Sequence, residues 1–377
     1  MRIAILGAGP AGLYLAYLVK RRDAGAEVRV YEQNPADATF GFGVVFSDRA
    51  LEFLTEGDPE TFAAIAPHLQ SWTDIALVHR GERIRVDGVG FAAIGRLQLL
   101  QILQARARSA GVEPRYRHAV ADLGEVGDAD LIVGADGVNS LVRRSFASQF
   151  GATTTYLTNR FAWFGVAKPF DTLTQTFRAT DLGAFNAHHY RYAPAMSTFI
   201  VEVTEATFAR AGFDRIDEAA SAAACARVFA ADLDGRPLAT NHSVWRQFPV
   251  VRNARWSFDR AVLIGDALHT AHFSIGSGTR LAMEDAIALD KALAAHPGDV
   301  AAALAAFETA RRPIVEKLVA AANASGAWYE RFADHMALAP VDFAMSYVTR
   351  SERIDLERLR RSSPRFVARY EQERGDD

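Results

Sequence analysis

The opening stretch "MRIAILGAGPAGLYLAYLVKRRDAGAEVRVYEQN" restricts the possible fold more than any other part of the chain. Residues 2 to 6 read as a buried parallel strand that stops at Gly7, and a helix is expected from about Pro10. Gly7, Gly9 and Gly12 fall at that junction in the spacing G-x-G-x-x-G. The first permits a tight turn, the second lets the backbone approach a pyrophosphate, and the third lets helix and strand pack closely. Around Ala11 the helix start leaves free N–H groups for the phosphates. The same run is apolar enough to imitate a signal peptide, but the glycines and Pro10 interrupt it and no charged segment precedes it.

A second short strand is expected to end at Glu32, twenty residues after Gly12. An acidic side chain there can accept hydrogen bonds from an adenosine ribose and would repel a ribose 2′-phosphate. The resident nucleotide is therefore expected to be FAD or NAD, not NADP.

With 377 residues, half of them apolar, the chain exceeds the usual size of a single core, so two domains or one domain with a large insertion are expected. The net charge of −3 gives no support for nucleic acid or a membrane surface as partner. No stretch is apolar and long enough to span a bilayer. Cys225 is the only cysteine, which excludes an internal disulfide and multi-cysteine metal sites and suits a reducing cytoplasm.

Downstream, "GRLQLLQILQARARSAG" has leucines at helical spacing with Arg96 near its start, and "DADLIVGADGVNSLVRRSF" reads as strand, turn and helix. From about Thr153 to Val203 the aromatic and β-branched texture predicts antiparallel sheet, and a further strand pair is expected around "HSVWRQFPVV". The buried-strand signature returns at "DRAVLIGDALHTA". The expected architecture is α/β, with a discontinuous Rossmann-like nucleotide-binding domain at 1–70, 92–152 and 255–320. A substrate domain of antiparallel sheet, 71–91 and 153–254, is inserted into it, and a helical segment, 321–377, ends in a charged, solvated face.

Three landmarks in this order, "GAGPAG" with Glu32, "GADGVNSLVR" and "VLIGDALHTAHFSIGSGTRLAMEDA", resemble the triple signature of class A FAD-dependent aromatic hydroxylases, the p-hydroxybenzoate hydroxylase-like family. "GFGVVFSD", "AMSTFIVE", "HFSIGSGT" and the tail "SYVTRSERIDLERLRRSSPRFVARY" resemble the aryl-CoA branch, that of salicyloyl-CoA 5-hydroxylase and the anthraniloyl-CoA monooxygenases. The reductase domain fused in the anthraniloyl-CoA relatives does not follow, so a stand-alone hydroxylase is expected. The loop Ser274–Gly278 departs from the proline-led P-x-G-Q-G of many class A hydroxylases, a variant shared by the aryl-CoA relatives.

The resemblance implies tightly bound FAD, transient NADH or NADPH, molecular oxygen, and hydroxylation of an aromatic ring through a flavin C4a-hydroperoxide. The implied substrate is an aryl-CoA such as salicyloyl-CoA. A free aromatic or indole-derived substrate is the alternative, and a non-catalytic FAD-binding protein a further one. By resemblance Asp266, with Gly265, holds the ribityl chain, and Arg96 reaches the phosphate and ribityl side. Asp136 and Gly137 form the D-G motif that Arg143 closes. Gly276, Ser277, Gly278 and Thr279 sit where a helix N-terminus would face the anionic edge of reduced flavin. No second G-x-G-x-x-G and no W-x-W-x-I-P signature is present, which disfavours a two-dinucleotide reductase and a flavin halogenase. A monomer or homodimer is expected.

In "FNAHHYRY", alternation places Asn186, His188, Tyr190 and Tyr192 on one face and His189 with Arg191 on the other. His188 is the candidate to hold or deprotonate a phenolic hydroxyl. Val44, Val45 and Phe46 are expected to line the pocket, and His272 to approach the flavin or substrate edge. Arg80, Arg83, Arg85, Arg160 and Arg191 are available for CoA phosphates. His269 and His272 have the look of a metal pair, but no carboxylate or thiol cluster completes a site, so no metal is expected and His269 is expected beside the ribityl-binding turn.

Overall fold

Arg2–Leu6 is an inner strand of a five-stranded sheet, pairing in parallel with Glu27–Tyr31 on one side and Leu131–Gly134 on the other. Ala261–Leu263 continues the sheet in parallel beyond Leu131–Gly134, and Ser257–Phe258 closes that edge antiparallel. The sheet thus joins segments separated by more than a hundred residues. The structure is a computed structural model and describes residues 1–47 and 52–375. Asp48, which ends the "GFGVVFSD" motif, and the last two residues of the C-terminal segment lie outside the described residues.

Parallel strands need cover on both faces. Helix Pro10–Arg22 packs against helices Arg96–Ser109 and Gly278–Ala295. Pro10 opens the first of these, where its missing N–H costs nothing, and Lys20, Arg21 and Arg22 close it with charges that suit the helix dipole. Leu13, Leu15 and Val19 lose all exposure in this packing, each contributing roughly 1.5–3 kcal/mol of hydrophobic stabilisation.

A seven-stranded sheet is inserted between these segments. Its order is Leu238–Ala239, Arg160–Val166, Met196–Val203, Gly183–Ala193, Leu173–Thr180, Ile75–His79 and Glu82–Val86. Every pairing is antiparallel except that of Leu173–Thr180 with Ile75–His79. Period-two alternation divides its faces. Phe164, Phe185, Phe199 and Val201 pack against Phe229 and helix Glu218–Val228, whereas Phe177 and Tyr190 belong to a second core with Tyr329 and Phe343. A smaller sheet, Gly43–Ser47, Phe91–Gly95 and Gln70–Trp72, bridges the two regions.

The strand pair expected around "HSVWRQFPVV" takes a different form. Pro249–Asn253 is one strand, and its antiparallel partner is Ala152–Tyr156, about a hundred residues upstream. Nor does the expected boundary at residue 320 mark a break, because helix Val300–Glu330 runs straight through it. Val315, Leu318, Ala322, Ser325 and Tyr329 carry one buried helical face across that position. The C-terminal helices Pro340–Thr349, Leu356–Ser362 and Pro364–Gly375 pack near Ile75–Val86, burying Phe343, Leu359 and Phe366. The tail is therefore more than a solvated face.

The architecture is mixed α/β: a Rossmann-like region, an inserted sheet and C-terminal helices. Among the described residues no helix is long and apolar enough to cross a membrane.

Candidate active site

The glycine turn separates two kinds of requirement. Gly7 has φ +101°, and a Cβ there would lie 2.3 Å from the Ala135 carbonyl oxygen; one on Gly12 would lie 2.0 Å from the Gly7 oxygen. Both glycines are needed by the protein's own packing. A Cβ on Gly9 would meet nothing within 4 Å, and Gly9 and Ala11 line a large cavity. Helix Pro10–Arg22 has no side-chain cap, so its first N–H groups are left for a ligand. Glu32 shapes this turn: one carboxylate oxygen accepts the Ala8 N–H at 2.9 Å, and the other accepts the backbone and side-chain N–H groups of Asn34. It does not line the cavity itself.

Opposite, the chain turns at Gly265 with φ +60°. Buried Asp285 organises that turn. One of its oxygens accepts the Gly265 N–H at 3.0 Å and lies 2.9 Å from His269 Nε2; the other accepts from Arg311 Nε at 2.8 Å. Arg311 also pairs with Glu284 at 2.9 Å. Arg143 ties the two motif turns together, donating to the carbonyls of Ala267 and Val138. The Asp136 carboxylate accepts the Leu141 N–H at 2.6 Å and so holds the D-G turn, while Gly137 lines the cavity. Asp266 and Arg96 face the cavity together, and burial raises the pKa of Asp266 and lowers that of Arg96. Arg96 Nε is buried without a partner among the described residues.

The cavity, about 1380 Å³, runs from these turns to the inserted sheet. Gln175, His188 and Ile200 stand side by side on three adjacent strands and form part of its wall. His188 Nε2 lies 3.4 Å from Glu202, whose other oxygen accepts from Asn159 Nδ2 at 2.9 Å. The His188 ring stacks on Tyr329, with centroids 4.9 Å apart, and Tyr329 donates to Gln175 at 3.2 Å. Burial pushes Glu202 up to about 7, and burial, with Arg350 adding to it, drives His188 well below the ordinary histidine value. A neutral imidazole beside an acid poised near neutrality can accept one proton as a unit.

Two expected pocket residues lie elsewhere. Phe46 has no exposed surface and belongs to the nucleotide-domain core, whereas Val44 and Val45 line the cavity. Pairing with Phe91–Gly95 sets which way Phe46 points. His272 sits behind the wall: its ring is 4.3 Å from that of Phe273, which does line the cavity, and its Nδ1 is 2.7 Å from Ser274 Oγ. It acts as the cap of the turn Phe273–Ile275. Gly276, Ser277, Gly278 and Thr279 line the cavity where helix Gly278–Ala295 begins, again without a side-chain cap. Arg350 clamps the preceding loop, donating to the Ser274 carbonyl at 2.8 Å and to Ser325 Oγ at 2.9 Å.

None of the five arginines singled out for phosphates lines the cavity. Arg80 donates to the Met336 and Ala337 carbonyls, Arg83 and Arg85 pair with Asp171, and Arg160 donates to the Thr158 carbonyl. Arg191 keeps a buried Nε without a partner among the described residues. His269 is held by Asp285 and His272 by Ser274, and among the described residues no group of three or more His, Cys, Asp and Glu side chains could hold a metal.

Sequence reasoning passed over Glu202, Asp285, Arg311 and Arg350. Only Glu202 carried a local signal, an acid alternating with Thr198 and Ile200 inside an apolar strand.

The residues present fit a flavin dinucleotide. Two uncapped helix N-termini, the bare backbone at Gly9 and Gly278, and the unpartnered Arg96 nitrogen all face one cavity. An "FAD binding domain" family matches residues 97–322, and an "NAD(P)-binding Rossmann-like domain" matches residues 5–41. The chain is 43% identical to a salicyloyl-CoA 5-hydroxylase of Streptomyces sp, an alignment that covers 93% of this chain and 70% of that protein. It is 37% identical to a 3-hydroxy-4-methyl-anthranilyl-[aryl-carrier protein] 5-monooxygenase of Streptosporangium sibiricum, over 89% of this chain and 90% of that protein. Among solved structures, a variant of 2-methyl-3-hydroxypyridine-5-carboxylic acid oxygenase superposes with TM-score 0.70 at 18% identity, covering 93% of this chain and 96% of that one. FAD is the cofactor and NAD(P)H the reductant. The chain belongs to the FAD-binding family as a class A FAD-dependent aromatic hydroxylase, a monooxygenase related to the salicyloyl-CoA and anthraniloyl-CoA branch.

Proposed function

We propose that this monooxygenase hydroxylates an aromatic ring presented as a coenzyme A thioester, with 5-hydroxylation of salicyloyl-CoA as the specific reaction. The observation that carries the reading is the continuity of one cavity from the glycine turn, past the His188 wall, to the C-terminal segment around Arg353 and Arg358. The cavity extends beyond the cofactor turns to that segment, as a ring joined to a long thioester tail requires. The two relatives described above act, by name, on aryl groups joined to CoA or to a carrier protein.

Bound FAD supplies the redox chemistry, receiving a hydride from NAD(P)H and activating oxygen. The chain's own residues do the rest. Gly9, Ala11, Arg96, Gly265 and Asp266 would hold the dinucleotide, and the N–H groups opening helix Gly278–Ala295 would stabilise negative charge on the reduced cofactor. The apolar wall of Val45, Ile200 and Phe273 limits water around the reacting ring. His188 relays the proton of a ring hydroxyl to Glu202 behind it, so that the pair holds the proton as a unit.

The test is a screen of free aromatic acids against their CoA thioesters for stimulation of NADH and NADPH oxidation, with product mass as readout. The expected result is stimulation by salicyloyl-CoA and a product that gains one oxygen atom. Stimulation by free acids or indoles alone would remove the thioester reading and leave the hydroxylase. His188→Ala is expected to retain FAD and lose hydroxylation; unchanged turnover would take His188 out of the mechanism.

A further inference from the structure

We propose that Arg353 and Arg358 form a phosphate-binding site at one mouth of the cavity, for the nucleotide end of the coenzyme A thioester. The assignment rests on the thioester reading above. Both residues are exposed and line the cavity. Neither guanidinium has a carboxylate partner among the described residues, and that of Arg358 makes only a 3.3 Å contact with the Arg353 carbonyl.

Their neighbours differ. Arg360 pairs with Glu371, Arg361 with Glu357, Arg365 with Asp74 and Asp87, and Arg369 with Glu82 and Glu373. The nearby carboxylate of Asp355 is engaged as a helix cap, accepting the Arg358 N–H at 2.8 Å. Arg350, which also lines the cavity, is spent on the Ser274 carbonyl and Ser325 Oγ, so among the described residues Arg353 and Arg358 are the members of this arginine-rich segment that face the cavity with neither a carboxylate nor a structural role. Guanidinium groups are suited to phosphate through forked hydrogen bonding.

The segment is also held in place. A Cβ on Gly88 would lie 1.8 Å from the Ser362 carbonyl oxygen, so the loop before Phe91 presses directly on helix Leu356–Ser362. Ile75, Phe91, Val348, Ile354 and Leu359 pack in one apolar cluster and line the same cavity. An apolar passage ending at two unpaired cations matches a ligand with a flexible, weakly polar arm and a polyanionic end. A carrier-bound thioester brings a single phosphodiester, a poorer match to two cations than the several phosphate charges of CoA.

The experiment uses the FAD-loaded enzyme and two probes, salicyloyl-CoA and salicyloyl-pantetheine, which has the same thioester without phosphates. In the double variant Arg353→Gln/Arg358→Gln, KM for salicyloyl-CoA is expected to rise about tenfold or more with kcat and flavin content kept. KM for salicyloyl-pantetheine is expected to stay at the wild-type value, and added salt should weaken only the CoA probe. An unchanged KM for salicyloyl-CoA, or an equal rise for both probes, would overturn the site while leaving the thioester reading intact. So would the same phosphate-dependent loss in Arg246→Gln, which replaces another cavity-lining arginine without an ion pair among the described residues. Wild-type turnover restricted to free acids would defeat the thioester reading and the site together. Turnover restricted to a carrier-protein-bound aryl group would overturn the CoA site.

Discussion

Asp285→Ala removes the acceptor that joins the cofactor turn to the helices behind it. Asp285 has no exposed surface; it accepts from Gly265 N–H and Arg311 and lies against His269. Burial alone would raise its pKa, but His269 and Arg311 outweigh that and hold it below the ordinary aspartate value. Breaking a buried ion pair by removing one partner costs about 3–5 kcal/mol. Glu284, 2.9 Å from Arg311, still compensates that cation, so the low end of the range applies. At roughly 2.1 cal/mol/K of unfolding entropy per residue, a chain of 377 residues loses about 4 °C in Tm for about 3 kcal/mol. The Gly265–Asp266 turn loses its anchor as well, so FAD affinity falls with stability. Asp285→Asn, which keeps an acceptor for Gly265, should lie between the two. The assay is thermal melting of apoprotein and FAD-loaded protein, followed by circular dichroism and flavin fluorescence, with FAD titrations. An apoprotein Tm within about 1 °C of wild type would refute the energetic argument. A normal FAD affinity in a destabilised variant would refute the link to the cofactor turn.

Gly9→Ala is expected to leave the apoprotein's Tm unchanged and weaken FAD binding, because its Cβ meets only open cavity; Gly12→Ala should destabilise the apoprotein itself, with its Cβ 2.0 Å from the Gly7 oxygen. Comparing both variants by apoprotein melting and FAD titration separates ligand clash from fold clash. Phe46→Ala should cost about 3–5 kcal/mol in denaturant unfolding and leave substrate KM unaltered, since Phe46 is core and not cavity wall; a raised KM in a stably folded variant would contradict that placement. Glu202, raised to about 7 by burial, stabilises the fold below the ordinary glutamate pKa and loses that contribution as pH rises through about 7. Glu202→Gln should therefore gain stability over wild type on going from pH 5 to pH 8. His272, held down to about 4 chiefly by burial, titrates in part of that window with the opposite slope, so the difference between the two proteins is the readout. An equal Tm difference at both pH values would count against a buried, titrating Glu202.

Residue order alone accounts for the local features of this protein. The strand, glycine turn and helix from Arg2 to Arg22 depend on neighbours in the chain, and their geometry is written in residue spacing. The helix that starts at Arg96 and the division of His188 from His189 follow from periodicity in the same way. Tertiary structure decided everything that depends on which distant element lies opposite. Alternation cannot say whether Val45 or Phe46 faces the cavity until Gly43–Ser47 pairs with Phe91–Gly95. His188 meets Glu202 only because two strands align fourteen residues apart, and Asp285 becomes an anchor only because its helix carries it beneath Gly265. The arginines make the point most directly. Arg83 and Arg353 are chemically the same, but Asp171 lies beside the first and open cavity beside the second, a difference in surroundings that no local pattern records.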